Sequence, residues 1–398
     1  MKKKRWLAAL LAAGMVAAQC VLPAGENGFS LTQQVSAFTS WSIQQDASRP
    51  LVSGLTQTEY SYTVNGVSSR YITLTLSPDS GVTLRPAMPS DGVSVGRDTV
   101  RDMANSAVLH GDNVVAAING DMYNINTGEP WGVVIQNGDL IHGYNVAGRD
   151  WLFFGFTKDG EVVYGDKSVY DQKWPELEQA MGLHCVLVEN GVNVCTDQSA
   201  TRAPRTAVGV KKDGTVFFLA ADGRQDSSIG LSLTELADLM MKEGAVWAGN
   251  LDGGGSTTVV SREIGSDSLT VQNTPSDGSE RNVANCWLFV ASGEPTAAQT
   301  EAANVELYGK VVSDTTNPVS IQPGKSYQFR MTVVAGSNPP CCYLESNEYF
   351  EVVYTGNSGR DYFYKVTAKE GAPSGASTVL YSVLPGQSGV KQCEVRVG

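Results

Sequence analysis

The chain has 398 residues, of which 42% are hydrophobic, and this is enough for two globular domains. Its formal net charge is −12, and an acidic surface argues against binding to nucleic acid or to an anionic membrane surface. Seven cysteines fit an oxidising compartment outside the cytoplasm.

The N-terminus has the pattern of a secretory signal peptide. Four basic residues at positions 2–5 precede an apolar run, Trp6 to Ala18, that is too short to span a membrane comfortably. Small residues predict cleavage near Ala18, and lipidation of Cys20 ranks below it because Gln19 is a poor residue before a lipidated cysteine. We expect a secreted or extracytoplasmic protein, free or at the cell surface, that meets a membrane only through this segment. Residues 19–50 are predicted to be a polar leader.

From position 51 the pattern changes to short strands separated by turns. The repeated hairpin signals predict an α+β fold over residues 51–292, with a mainly antiparallel or mixed sheet and a few helices. A first helix is predicted at Thr99–Leu109, and a second at Leu233–Glu243 with Thr234 as N-cap and Gly244 as C-cap. Strands are predicted at Tyr60–Val64, Arg70–Leu76, Val114–Ile118, Trp131–Ile135, Leu140–His142, Trp151–Phe156, Glu161–Tyr164, Thr206–Val210, Val216–Ala221 and Val283–Val290.

The composition shifts at residues 293–303, which are predicted to be a linker. Short strands and Pro-Gly turns follow, and they predict an immunoglobulin-like β-sandwich over residues 304–398. This accessory domain carries no cluster of catalytic type, so a spacer is its simplest role, beside adhesion or carbohydrate contact. The six predicted strands are Val305–Tyr308, Ser326–Val334, Phe350–Tyr354, Tyr362–Ala368, Ser377–Leu384 and Cys393–Val397.

Two cysteine pairings are predicted. Cys185 and Cys195 flank an Asn-Gly turn, so they could face each other across a hairpin and form a disulfide bond. One of the adjacent pair at 341–342 could bond to Cys393. Cys286 lies in an apolar strand without a nearby histidine, which favours a small core residue over a nucleophile.

The run from Asn250 to Thr258 contains three successive glycines between Asp252 and Ser256. Glycine loses the most backbone freedom on folding, so three in a row predict a tight loop that a ligand approaches closely. Successive amides from Gly253 to Ser256 could form a concave site for an anion. A plain glycine turn is the alternative, but the acid before the run and the hydroxyls after it favour a site.

Polar residues follow several other strands, and together they supply acids and arginines. Glycoside hydrolysis uses a pair of carboxyl groups, and arginine matches the oxygens of a phosphate, so the mixture suits glycosyl transfer from a phosphorylated sugar. Taken singly, each cluster is equally typical of a turn or a surface charge. The acids are Asp121, Asp222, Asp252 and Glu280, and the arginines are Arg202, Arg205, Arg224 and Arg281.

Other chemistries are disfavoured. The three histidines, at 110, 142 and 184, lack zinc spacing, and the Gly-x-Ser-x-Gly elbow of a serine hydrolase is missing. The glycine loop also lacks the lysine of a nucleotide-binding P-loop.

The ordered motifs over roughly Thr99 to Val290 resemble the phosphodiester glycosidase family. This resemblance implies cleavage of a sugar-1-phosphodiester into a free sugar and a phosphomonoester, with a phosphate-containing glycan as the substrate. The matching segments are Asn119–Tyr123, Gly128–Gly132, Arg205–Gly209, Asp222–Arg224, Asn250–Thr257 and Glu280–Asn285. Met122-Tyr123 departs slightly from the family's usual pair.

The resemblance also implies a set of site residues. We expect Asp252 and Asp121 as the reacting carboxylates, with Glu280 as a substitute, and Arg205 and Arg224 as phosphate ligands. The remaining expected substrate contacts are Asn119, Asp222, Gly253, Gly254, Ser256, Thr257 and Arg281. No cofactor is assigned; oxygen ligands would suit Ca²⁺ or Mg²⁺, although no loop has EF-hand spacing.

Two alternative functions stay open at this point. One is a non-catalytic carbohydrate-binding or adhesion protein that keeps the pocket. The other is a glycosidase that acts on ordinary glycosides. The carboxylate arrangement and the mechanism, retaining or inverting, are not fixed by the motifs.

Overall fold

The computed structural model describes residues 40–144, 152–263 and 265–398, so the predicted signal peptide lies outside the described residues. The helices in these ranges are α1 (Val100–Leu109), α2 (Lys167–Lys173), α3 (Leu233–Lys242) and α4 (Ala297–Tyr308), with 3₁₀ turns at Pro89–Asp91, Trp174–Glu176 and Gly254–Ser256.

The strands of the same ranges fall before and after α4. Those before it are β1 (Trp41–Val52), β2 (Leu55–Val64), β3 (Val67–Leu76), β4 (Val82–Ala87), β5 (Asn113–Asn119), β6 (Val134–Gln136), β7 (Asp139–His142), β8 (Phe153–Thr157), β9 (Val162–Gly165), β10 (Leu177–Gly182), β11 (Cys185–Glu189), β12 (Val192–Asn193), β13 (Arg205–Lys211), β14 (Val216–Ala221), β15 (Ala245–Asn250), β16 (Val259–Arg262), β17 (Leu269–Val271) and β18 (Cys286–Ala291). Those after it are β19 (Lys310–Ser313), β20 (Val319–Ile321), β21 (Ser326–Ala335), β22 (Cys341–Leu344), β23 (Phe350–Ser358), β24 (Asp361–Ala368), β25 (Ser377–Val383) and β26 (Val390–Val397).

Three sheets precede α4. One has the order β1-β2-β3-β14-β13-β15-β11-β12, the second β7-β6-β10-β8-β9 and the third β17-β16-β5-β18-β4. A shared core lies between them, with Phe154, Phe218, Trp247 and Trp287 at its centre. Because the sheets are antiparallel and the helices few, the predicted α+β class is confirmed.

Helices cover the outer faces of two sheets. The buried residues of α3, Leu233, Leu236 and Met240 among them, follow a helical period and pack on the eight-stranded sheet. Its N-cap is Ser232, which forms a capping box with Glu235, so the predicted N-cap Thr234 is wrong. The α1 helix begins after Thr99, as predicted, and packs on the sheet that contains β5.

Two segments differ from the sequence-based expectation. Residues 41–50, predicted as leader, belong to β1, which pairs with β2. Part of the predicted linker, together with the predicted strand Val305–Tyr308, forms α4. Its alanines favour a helix, and Thr296 and Gln299 form a capping box at its start.

Two four-stranded sheets follow α4, in the orders β19-β21-β24-β23 and β20-β26-β25-β22. They share one apolar cluster that includes Phe329, Phe350 and Leu380. Residues 40–398 belong to one compact unit, and the predicted domain boundary within it stays a prediction. Within the described ranges, no helix is long and apolar enough to cross a membrane.

The cysteines of the described residues are free thiols. Cys286 is fully buried in β18, which confirms it as a core residue, and burial raises its pKa. The two predicted disulfide bonds are not formed in the structure.

Candidate active site

The glycine loop lies where several strands end. The side-chain amide of Asn119, at the end of β5, donates to the carbonyl of Asp252 at 2.8 Å, and the backbone amide of Asp252 donates to the carbonyl of Gly120 at 2.9 Å. The amide of Gly254 donates to the carbonyl of Pro204, just before β13, at 2.8 Å. The structure thus brings the predicted clusters at 119–123, 202–206 and 250–258 together.

Each of the three glycines of the loop lies close to a different arginine or to the residue next to it. A β-carbon at Gly253 would lie 2.7 Å from the Pro204 carbonyl oxygen and 3.7 Å from Cδ of Arg205. At Gly254 it would lie 3.1 Å from Nη1 of Arg224, and at Gly255 it would collide with Nη2 of Arg281. The glycines therefore allow three arginines to lie directly against the loop.

The loop amides are largely used within the protein. The amide of Gly253 donates to Oδ1 of Asp252 at 2.8 Å, and the amide of Ser256 donates to the carbonyl of Gly253 at 3.3 Å. With the Gly254 amide bonded to Pro204, three of the four amides expected to hold an anion have internal partners. The expected amide cradle stays a prediction, and the positive charges near the loop come from the arginine side chains.

Asp252 is the acid at the centre of this loop. Burial raises the pKa of its carboxyl, while the Ser256 hydroxyl, the Gly253 amide and Arg281 lower that pKa in part. Asp252 remains partly exposed, so solvent or a ligand can reach it. A carboxyl group with a raised pKa beside a cation is a candidate reacting group.

Ser256 and Thr257 lie beneath the loop and are fully buried. The Ser256 hydroxyl lies close enough to Asp252 to lower its pKa, although its Oγ has no hydrogen bond of good geometry. The Thr257 hydroxyl accepts from Thr206, and its carbonyl accepts from Asn273 at 3.0 Å. Thr257 and the buried Asn119 thus support the loop through hydrogen bonds, and the expected substrate contacts of these three residues stay predictions.

The arginines differ in how they are held. Arg224 is exposed and forms no ion pair within the described residues, and its backbone has a φ of 59°, which is unfavourable for a side chain of this size. Arg205 donates to the carbonyls of Leu231 and Thr201, and burial lowers its pKa. Arg281 pairs with Asp277 at 2.7 Å.

Asp121 lies beside the loop but is fully engaged. Its two carboxylate oxygens accept the amides of Met122 and Gly132, each at 2.7 Å, and its own amide donates to Asn285. Its side chain is 3% exposed. These contacts fix the segment that follows β5.

Asp222 and Glu280 are likewise held by neighbours. Asp222 accepts from Asn273 and from the Thr274 amide, and burial raises its pKa. Glu280 accepts from Nε of Arg101 on α1 at 2.9 Å, and burial raises the pKa of this carboxyl as well. Arg101 also pairs with Glu306 of α4, so Glu280 is tied to both helices.

Three supporting residues were not predicted as site residues. Tyr123 lies beside Ser256 and Asp252, and its hydroxyl donates to the carbonyl of Asn282 at 2.9 Å. Asn273 joins Asp222 to the Thr257 carbonyl. Asn285 orients Asp121. Tyr123 and Asn285 belong to the motif segments quoted above, but Asn273 carries no sequence signal.

In the described ranges, no group of three or more histidine, cysteine, aspartate or glutamate side chains could hold a metal ion. The site consists of one partly exposed carboxyl group and three arginines.

Comparison with known proteins relates the residues of this site to a protein family. Residues 112–290 match the family model described as phosphodiester glycosidase. This part of the chain is therefore similar to the phosphodiester glycosidases. The matched range includes the loop, Asp252 and the three arginines.

Relatives of this domain include bovine N-acetylglucosamine-1-phosphodiester alpha-N-acetylglucosaminidase, which is 28% identical over 222 residues, 51% of this chain. The chain spans 40% of that relative's length. The prophage-derived uncharacterized protein YomE of Bacillus subtilis is 32% identical over 48% of this chain and 29% of its own length. The solved catalytic domain of the zebrafish glucosaminidase is similar with a TM-score of 0.48 and 22% identity, covering 63% of this chain and 87% of that chain.

Proposed function

We propose that this protein hydrolyses sugar-1-phosphodiesters to a free sugar and a phosphomonoester. The observation that carries the proposal is the position of Asp252. Its carboxyl has a raised pKa and shares the glycine loop with Arg205, Arg224 and Arg281. A carboxylate for the sugar and arginines for the phosphate are the two requirements of this reaction.

The bond that breaks joins the anomeric carbon to a phosphate oxygen. The electron pair of that bond leaves with the phosphomonoester, and water supplies hydroxyl to the sugar and one proton to solvent. The second pKa of a phosphomonoester is about 6, so this leaving group needs no strong acid. Arginines that stabilise the departing charge replace the proton donor of an ordinary glycosidase.

Within this proposal Asp252 acts in its ionised form, as the base for water or as the nucleophile. Arg224 binds the phosphate because it is exposed and has no ion pair in the described part of the chain. Arg205 and Arg281 complete the positive side of the site. We assign Asp121, Asp222 and Glu280 to positioning, because backbone amides or arginine already occupy their carboxylates.

The relatives suggest where to begin with substrates and location. The bovine relative is named for N-acetylglucosamine-1-phosphodiester, so an ester of N-acetylglucosamine 1-phosphate is the first substrate to test. We place the mature protein outside the cytoplasm, and we propose that the strands after α4 form an immunoglobulin-like sandwich.

The test compares methyl N-acetylglucosamine 1-phosphate with an aryl glycoside of the same sugar. We expect release of methyl phosphate and little hydrolysis of the aryl glycoside. Asp252→Asn should abolish turnover, whereas the matched surface variant Asp159→Asn should keep it. Binding without turnover would support the carbohydrate-binding alternative, and faster hydrolysis of the aryl glycoside would support an ordinary glycosidase.

A further inference from the structure

Three exposed aliphatic side chains lie on two loops beside the candidate site. Val93 is 67% exposed, Val95 48% and Ile125 68%. We infer that these residues, the apolar rim, bind a long apolar chain carried by the phosphate of the substrate, so that the enzyme acts on a lipid-linked sugar phosphate. This inference rests on the proposed function and names its substrate class.

The two loops of the apolar rim touch each other. A β-carbon at Gly128 would collide with the carbonyl oxygen of Gly96 and would lie 2.9 Å from Cγ of Arg97. The loop of Ile125 is a closed turn, in which the Gly128 amide donates to the carbonyl of Asn124 at 2.7 Å. The two loops that carry the three exposed side chains therefore lie against each other.

The apolar rim is also tied to the site. Asp98 and Val283 exchange backbone hydrogen bonds of 3.0 and 2.7 Å, which joins one loop to the segment that carries Arg281. The other loop follows Tyr123, whose hydroxyl donates to the carbonyl of Asn282 and lies within electrostatic reach of Asp252. A substrate bound at Asp252 can thus extend over the rim.

The side chains of the apolar rim and of Arg97 indicate which kind of ligand binds there. Exposed aliphatic side chains on two adjoining loops near a site favour an apolar ligand. Arg97, between the rim residues and the site, is exposed and forms no ion pair within the described residues, so it can meet the phosphate end. A whole anionic membrane is disfavoured because the protein carries a net charge of −12. An alkyl or isoprenoid chain on a single phosphodiester fits both features.

The experiment uses methyl and dodecyl esters of N-acetylglucosamine 1-phosphate, the latter below its micelle concentration. The wild type should prefer the dodecyl ester by about tenfold or more in kcat/KM. The triple variant Val93→Ser, Val95→Ser and Ile125→Ser should lose that preference and hydrolyse the methyl ester at the wild-type rate. The control Val353→Ser with Val390→Ser removes two exposed valine side chains after α4, 49% and 48% exposed, and should change neither rate.

Equal kcat/KM for the two esters in the wild type would overturn the inference, as would a triple variant that keeps the preference. The triple variant could instead lose binding to neutral vesicles while its ester preference stays unchanged, which would assign the rim to a membrane. Loss of self-association with an unchanged ester preference would assign the rim to a second copy of the chain. Either result would also overturn the inference. If the wild type hydrolyses neither ester, the proposed function fails. Binding of an apolar chain by the rim is then tested by calorimetry with dodecyl phosphate, which should bind the wild type and not the triple variant.

Discussion

A β-carbon at Gly254 would lie 3.1 Å from Nη1 of Arg224. Gly254 has a φ of +63°, which favours glycine, and a side chain at this position would also crowd the guanidinium of Arg224. Arg224 itself has a φ of 59°, and unfavourable backbone at a candidate site often accompanies function. The contact places against the glycine loop a cation that has no ion pair within the described residues.

Gly254→Ala should therefore affect stability and activity together. We expect a loss of about 1 kcal/mol in the free energy of unfolding from the positive φ. We also expect KM for the phosphodiester to rise about tenfold, because the new methyl group displaces Arg224. Denaturant unfolding and steady-state kinetics measure both. Gly191→Ala is the matched control, since Gly191 has a φ of +73° and nothing within 4 Å; it should lose stability and keep KM.

Arg224→Lys should weaken substrate binding without unfolding the protein. Lysine cannot form the two-pronged contact of a guanidinium with phosphate, so KM should rise about tenfold or more. The melting temperature should stay within about 1 °C, since no ion pair is broken. Arg330→Lys, an exposed arginine after α4, should change neither quantity. An unchanged KM in Arg224→Lys would remove this residue from phosphate binding.

The pH dependence of kcat should reflect the ionisation of Asp252. Because burial raises the pKa of Asp252 and the reaction needs its ionised form, kcat should fall on acidification at a higher pH than for an ordinary aspartate. Ser256→Ala removes a group that lowers this pKa, so the acid limb should move to still higher pH. Thr258→Val, which also removes a buried hydroxyl, should leave the limb in place. A limb that moves to lower pH in Ser256→Ala would contradict the role of Asp252.

Asp252→Asn should stabilise the protein while it abolishes activity. The pKa of Asp252 is higher in the folded state than the usual 3.8, so the folded state favours the protonated form. Stability from this group is present below 3.8 and is lost as the pH rises through the folded pKa. The variant should thus melt a few degrees higher than the wild type at pH 7 and equally below pH 3.8. A lower melting temperature at pH 7 would show that the ionised carboxylate stabilises the fold.

Glu280→Gln should separate positioning from catalysis. The ion pair with Arg101 ties the segment before Arg281 to α1, but burial raises the pKa of Glu280, so its neutral isostere should keep the free energy of unfolding within about 1 kcal/mol of the wild type. Turnover should stay within about threefold of the wild type, because Glu280 is placed outside the reacting groups. A loss of kcat comparable to that of Asp252→Asn would return Glu280 to the reacting carboxylates.

The sequence predicts this loop better than it predicts the contacts of the loop. Three glycines after Asp252 indicate a tight turn from local conformation alone, and the turn is present. The arginines that require the glycines come from positions 205, 224 and 281, and only the sheet topology brings them together. Likewise, Arg101 lies 179 positions from Glu280, so their ion pair has no local signal. Alanine composition alone does not distinguish the start of α4 from a linker. The capping box of Thr296 and Gln299, in contrast, is a local signal for the helix start.

The position of bond cleavage tests the central claim most directly. Hydrolysis of methyl N-acetylglucosamine 1-phosphate in water enriched in oxygen-18 should give methyl phosphate without the label, because the bond between the anomeric carbon and oxygen breaks and the phosphate keeps its original oxygens. One labelled oxygen in the methyl phosphate would show attack at phosphorus and contradict the assignment of a glycosidase.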